Sequence, residues 1–287
     1  MTKQPEKFKA RIIYLVPILA SILFGMLCAT VFVKPSSAAI AAGATPPPVY
    51  PVTPISQATP TGSLFNALYF VIIAAIGATT IFLIIRYRGH KTLRFLTGFA
   101  LTSAFLLVSV IYLLATLSHI PNYLPIVIAL SITIAILADL AIFHFGGKAA
   151  DTVVIGVGGA LGVFLGANLN VPTSVLILAF LAVFDIIAVY RGPIGKIAES
   201  SEFDEMKGLS FSFKEFQMGL GDLVFYSLLT GTMFINISLA ACLFSVIGIM
   251  VGSYLTFLAL ERREVFPGLP IPVALGIAFG LIAGFLL

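Results

Sequence analysis

Nine apolar runs follow one another along the chain, at about 12–33, 64–85, 95–117, 124–145, 152–168, 173–190, 219–236, 238–259 and 269–287. Six contain no charged residue, and the other three contain one aspartate each: Asp139, Asp185 and Asp222. At 1.5 Å per residue such runs cross a hydrocarbon layer of about 30 Å as α-helices, and lipid leaves the backbone few other ways to pair its polar groups. The pattern therefore predicts an all-α integral membrane protein with nine transmembrane helices. Asn168-Leu169-Asn170-Val171-Pro172 divides the fifth run from the sixth, and Pro172 suits the first turn of a new helix. Between the first and second runs, residues 34–63 carry six prolines from Pro46 to Pro60 and almost no charge, which predicts an extended or disordered external loop.

Charge then orients the spans. Of the sixteen Lys and Arg residues, all but Lys34 fall on alternate connections. These are Lys3 to Arg11 before span one, Arg86 to Arg94 between two and three, and Lys148 between four and five. Arg191 to Lys214 lie between six and seven, and Arg262 and Arg263 between eight and nine. Positive residues stay inside, so the N-terminus is expected in the cytoplasm and the C-terminus outside, in a multi-pass protein of the cell membrane. Basic residues, an apolar stretch and Ala39-Ile40-Ala41 also resemble a secretory signal. The stretch exceeds the usual 7–15 residues, however, so a retained anchor is expected. The composition agrees with a life in lipid: 60% hydrophobic, 10% charged, mean hydropathy +1.11. The scattered basic residues form no stripe for nucleic acid. Cys28 and Cys242 lie in apolar runs and read as buried thiols.

A carboxylate within a span costs roughly 2.5–3.5 kcal/mol even on lenient scales, which makes each buried aspartate a candidate for function. Asp185 lies six residues before Arg191 on span six, about 9 Å from its cytoplasmic end; Asp222 enters span seven from the same side, about 5–9 Å in. Span nine enters there too, through Pro267-Gly268-Leu269-Pro270, whose prolines favour extended backbone. Irregular backbone at membrane depth is tolerated where it lines a cavity, so this segment is expected to wall a site shared by the two acids. Gly219 and Gly221 either let a substrate backbone approach Asp222 or permit close helix packing. Asp139 is expected to be structural, Asp151 to cap span five, and Gly158, Gly162 and Gly166 to form a packing seam. Glu199, Glu202, Asp204 and Glu205 read as a solvated loop, although Leu209, Phe211 and Phe213 nearby alternate as a strand would. His90, His119 and His144 have no metal-ligand spacing, so no metal and no cofactor is expected.

Phe184-Asp185, Gly219-Leu220-Gly221-Asp222 and Pro267-Gly268-Leu269 resemble the motifs of the presenilin and signal peptide peptidase family of intramembrane aspartyl proteases. That family has Tyr-Asp in the sixth of nine helices, Gly-x-Gly-Asp in the seventh and Pro-Ala-Leu before the ninth. Phe184 departs from the tyrosine and Gly268 from the alanine. The resemblance implies an endopeptidase that cleaves transmembrane peptide segments or signal-peptide remnants, with Asp185 and Asp222 as a catalytic dyad. Phe184, Gly219, Leu220, Gly221, Pro267, Gly268, Leu269 and Pro270 would form the wall. It divides the chain into scaffold helices (1–172) and catalytic helices (173–287) with a cytoplasmic loop at 191–218. It also points to a prokaryotic plasma-membrane homologue that needs no accessory subunit, with a homo-oligomer compatible. The rival from another class is a proton- or cation-coupled channel or transporter, in which the same buried acids would carry the ion.

Overall fold

The computed structural model describes residues 10–33, 52–88, 90–118, 120–190, 210–213, 216–262 and 266–286. Most of the proline-rich stretch, the acidic cluster Glu199 to Glu205 and the basic residues Lys3, Lys7, Lys9, Lys34, Arg191, Lys196, Lys207, Lys214 and Arg263 lie outside the described residues. Among the described residues nine α-helices follow in order: α1 (Val16–Ala29), α2 (Pro60–Arg88), α3 (His90–Leu117), α4 (Tyr123–Asp139), α5 (Gly147–Asn168), α6 (Val171–Tyr190), α7 (Leu220–Asn236), α8 (Leu239–Arg262) and α9 (Pro270–Leu286). Single 3-10 turns extend α1 at both ends, so that its apolar stretch runs from Ile12 to Phe32, and a π-helical turn carries α4 on to Phe145. Seven are long and apolar enough to cross a membrane; α7 and α9 are shorter, at 17 residues each.

Several boundaries differ from the hydropathy reading. α2 begins at Pro60 rather than 64 and runs to Arg88, because a helix does not stop where its hydrophobic run stops. The external loop is correspondingly shorter, and its end is tied down. Gln57 Nε2 donates to the Asn168 carbonyl at 2.9 Å, while its Oε1 accepts from Asn170 N–H at 2.7 Å. Asp151 does not cap α5, which starts four residues earlier at Gly147, after Gly146 at φ 62°. The helical expectation holds, with one addition. Ser210–Phe213 (β1) and Phe216–Gly219 (β2) form an antiparallel hairpin that leads directly into α7. Ser-Phe-Ser-Phe and Phe-Gln-Met-Gly alternate with the period of two that a strand needs.

The core is built around α7, where every residue from Tyr226 to Met233 is buried. The stripe of glycines on α5 packs against it, as the spacing predicts. A methyl group at Gly158 would lie 2.9 Å from Leu223 Cβ, one at Gly166 2.6 Å from the Leu228 carbonyl, and one at Gly162 would collide with the Val224 carbonyl. The opposite side of α5 meets α1 through Gly159, Gly25 and a hydrogen bond from Ser21 Oγ to the Ile155 carbonyl at 2.9 Å. Ile18 and Ile22 of α1 are fully buried, so this helix belongs to the core. α8 and α9 approach equally closely, Gly252 facing Pro272 and Gly248 facing Leu275. α2 lies at the periphery, with 11% of its most apolar window buried against 50% for α5. The remaining apolar surface suits a lipid environment.

Candidate active site

Three connections meet at one end of the bundle: the end of α6, the hairpin that starts α7, and the non-helical segment 266–269 that starts α9. Asp185 sits five residues before the end of α6, about 7.5 Å along the axis. Asp222 is the third residue of α7, about 3 Å from its start and shallower than its position in the apolar run suggests. Gly219 is the reason: it is still extended (φ −71°, ψ 144°), as the last residue of β2 and the N-cap of the helix. An acid in the first turn complements the positive end of the helix dipole.

Both carboxylates reach the same short piece of backbone. Leu269 N–H donates to Asp185 Oδ2 at 3.0 Å. The position of a methyl group on the preceding residue, Gly268, lies 3.2 Å from Asp222 Oδ2. Consecutive residues of the α8–α9 connection thus face the two acids. Both aspartates are half-buried. Pro267 and Leu269 are buried, Gly268 and Pro270 partly so, and α9 begins at Pro270, which cannot donate the hydrogen bond an earlier helical position would need.

The glycines of the seventh-helix motif differ from those of α5. A methyl group at Gly219 would find its nearest atom, Asp222 Oδ2, at 3.9 Å, and one at Gly221 would meet Phe225 at 3.7 Å. Neither glycine is required by helix packing, and Gly221 is exposed. They leave open backbone next to Asp222. Leu220 points elsewhere: its Cδ1 is 3.3 Å from the methyl position of Gly158 on α5. Two positions along a helix rotate by about 200°, so Leu220 and Asp222 occupy opposite faces. Phe184, beside Asp185, is half-buried.

Asp139 stands apart from this site. Thr102 Oγ1 of α3 donates to its Oδ2 at 2.7 Å, where α4 passes into its π-helical turn. Among the described residues no group of three His, Cys, Asp or Glu side chains is placed to hold a metal ion. One residue at the site escapes a reading of sequence motifs. Tyr226 of α7 is buried, and its hydroxyl donates to the Gly268 carbonyl at 3.0 Å. A buried phenol needs a partner, and its place one turn after an acid is the signal available in the sequence.

Comparison with known proteins places this geometry. Over 95% of its length the chain superposes on 99% of a solved presenilin family intramembrane aspartate protease in a C222 crystal form, with a TM-score of 0.66 and 22% identity. A second presenilin family intramembrane aspartate protease structure, in space group P2, matches at a TM-score of 0.63 and 19% identity, over 95% of this chain and 96% of the other. The chain has the presenilin-family fold. Residues 196–287, which include Asp222 and the Pro267–Pro270 segment, also match the Presenilin family model in sequence. No curated protein matches the chain. In this presenilin fold the two motif-bearing helices and the proline-flanked connection come together, although Asp185 lies outside the stretch matched by sequence.

Proposed function

We propose that this protein is an intramembrane aspartyl endopeptidase in which Asp185 and Asp222 activate water. The observation that carries the reading is the convergence of both carboxylates on the Gly268–Leu269 backbone, between helices of a membrane bundle. Two carboxylates this close do not both ionise readily and share a proton. The ionised one takes a proton from water as its oxygen attacks the scissile carbonyl carbon. The protonated one donates to the carbonyl oxygen and, as the tetrahedral intermediate collapses, a proton passes to the leaving nitrogen. The titration belongs to the pair rather than to either acid.

The substrate is a transmembrane segment of another protein, entering in extended form. Its helical carbonyls are hydrogen-bonded and must be released before attack. The β1–β2 hairpin and the Pro267–Pro270 segment offer backbone beside the dyad to which an unwound strand can pair. Open backbone at Gly219 and Gly221 leaves room for it. All nine helices span the plasma membrane, N-terminus inside and C-terminus outside, with α7 and α9 as its shortest crossings, and the dyad lies toward the cytoplasmic face. No accessory subunit is required.

The test is cleavage of a single-span substrate in detergent by the purified wild type, Asp185→Ala and Asp222→Ala. Product from the wild type and none from either folded variant is the expected result. A wild type that cleaves no substrate but conducts ions in liposomes would replace this reading with a conduction pathway.

A further inference from the structure

The peptide unit between Gly268 and Leu269 is held at both of its polar ends. Its N–H donates to Asp185 Oδ2 and its C=O accepts from the Tyr226 hydroxyl, each at 3.0 Å. A trans peptide is planar, with C=O and N–H pointing in opposite directions, so fixing one fixes the other. Of the neighbouring groups, Pro267 and Pro270 have no N–H, and the Leu269 carbonyl accepts from Val273 N–H at 3.0 Å in the first turn of α9. The Gly268 N–H, on the other side of the same residue, is a second backbone donor beside Asp185 and is carried by the same connection.

We infer that Tyr226 is a positioning residue for the reaction proposed above: its hydroxyl locks and polarises the Gly268–Leu269 peptide, which in turn orients Asp185 toward Asp222. The inference rests on the dyad reading. Tyr226 is placed for this task. It lies four residues after Asp222 on α7, so one face of one helix presents both the acid and the phenol to the same connection. At 1% exposure its hydroxyl bonds without competition from water. Donation to the carbonyl strengthens the N–H at the other end of the same peptide, since hydrogen bonds in series polarise one another. Tyr226 acts through the peptide and needs no contact with substrate.

The experiment compares the full-length wild type with Tyr226→Phe, which deletes one oxygen and keeps the ring. The control is Ser227→Ala, which deletes a neighbouring, fully buried hydroxyl that makes no hydrogen bond. For Tyr226→Phe, kcat is expected to fall roughly tenfold, with KM changed less than about twofold. Affinity for an uncleavable peptide with a hydroxyl-bearing tetrahedral carbon at the scissile position should fall by the same factor, because it mimics the transition state. Ser227→Ala should keep the wild-type kcat even if its unfolding temperature drops as far. Fluorotyrosine at 226, which keeps the donor and the fold, should keep kcat at or above wild type.

Wild-type kcat in Tyr226→Phe, an unchanged analogue affinity, or an equal kcat loss in Ser227→Ala would overturn the inference. Asp185→Asn and Asp222→Asn are measured alongside. If both cleave at the wild-type rate, the dyad reading fails and the inference goes with it. If both are inactive while Tyr226→Phe is normal, the inference fails alone.

Discussion

A methyl group at position 268 would stand 3.2 Å from Asp222 Oδ2, a few tenths of an ångström inside comfortable contact. Gly268 is not in the left-handed region, so alanine meets no backbone obstacle there; what it meets is the carboxylate. Gly268→Ala should therefore fold normally and lower kcat about two- to fivefold by displacing Asp222, since misplacement by about 1 Å costs roughly a hundredfold. Cleavage kinetics and thermal unfolding measured together test this, and an unfolding temperature that drops with activity would point to a packing role instead. Asp139 presents the opposite case. One of its carboxyl oxygens accepts from Thr102, the other is buried with no partner, and Thr102 has a second acceptor in the Gly98 carbonyl at 2.9 Å. Replacing an incompletely satisfied buried acid by an apolar group is often neutral or stabilising. Asp139→Leu should retain cleavage and leave stability unchanged or raised by about 1 kcal/mol. Loss of cleavage in a stably folded Asp139→Leu would mean that this acid serves the reaction, for example in supplying water.

The helices differ in how much of their placement depends on single positions. α5 is caught between α1 and α7, and its glycines mark which side faces which neighbour. At Gly162 a methyl group would run into the backbone of α7, whereas at Gly156 the nearest atom would be a Phe24 ring carbon at 3.8 Å. Gly162→Ala should push α7 away and destabilise by about 1–3 kcal/mol, taking activity with it because α7 carries Asp222. Gly156→Ala should be neutral or stabilising by up to about 1 kcal/mol through helix propensity alone. Equal melting temperatures for the two variants would remove the seam from the account. Such helices are legible in the hydropathy because lipid forces each apolar run to pair its own backbone. Their ends are less so: α2 and α3 continue through the charged residues around Arg88 and His90, where helix outlasts hydrophobicity. The hairpin shows itself only as alternation in a short stretch. The Tyr226–Gly268 bond joins residues 42 apart, and its one local trace is the tyrosine's place a turn after Asp222.

At the scale of the whole molecule, two sets of contacts separate the ends of the bundle. At one end the segment before α1 meets the end of α8, with Ala10 N–H 3.4 Å from Glu261 Oε2 and the Tyr14 and Phe257 rings 6.2 Å apart. At the other, Gln57 before α2 joins Asn168 and Asn170 between α5 and α6. Up-and-down packing of nine helices predicts this grouping, and among the described residues Arg11, Lys148 and Arg262 belong to the first end. Asp185 and Asp222 lie toward that first end, so under the proposed function the orientation decides from which side water and product exchange. Exposed Lys148, in the first turn of α5, and exposed Ser56, in the segment docked before α2, report on the two faces. In a background lacking Cys28 and Cys242, Ser56→Cys in intact cells should react with a membrane-impermeant maleimide, and Lys148→Cys only after permeabilisation. The reverse pattern would turn the molecule over and open the two aspartates to the outside, which would make extracytoplasmic product release the consequence to measure.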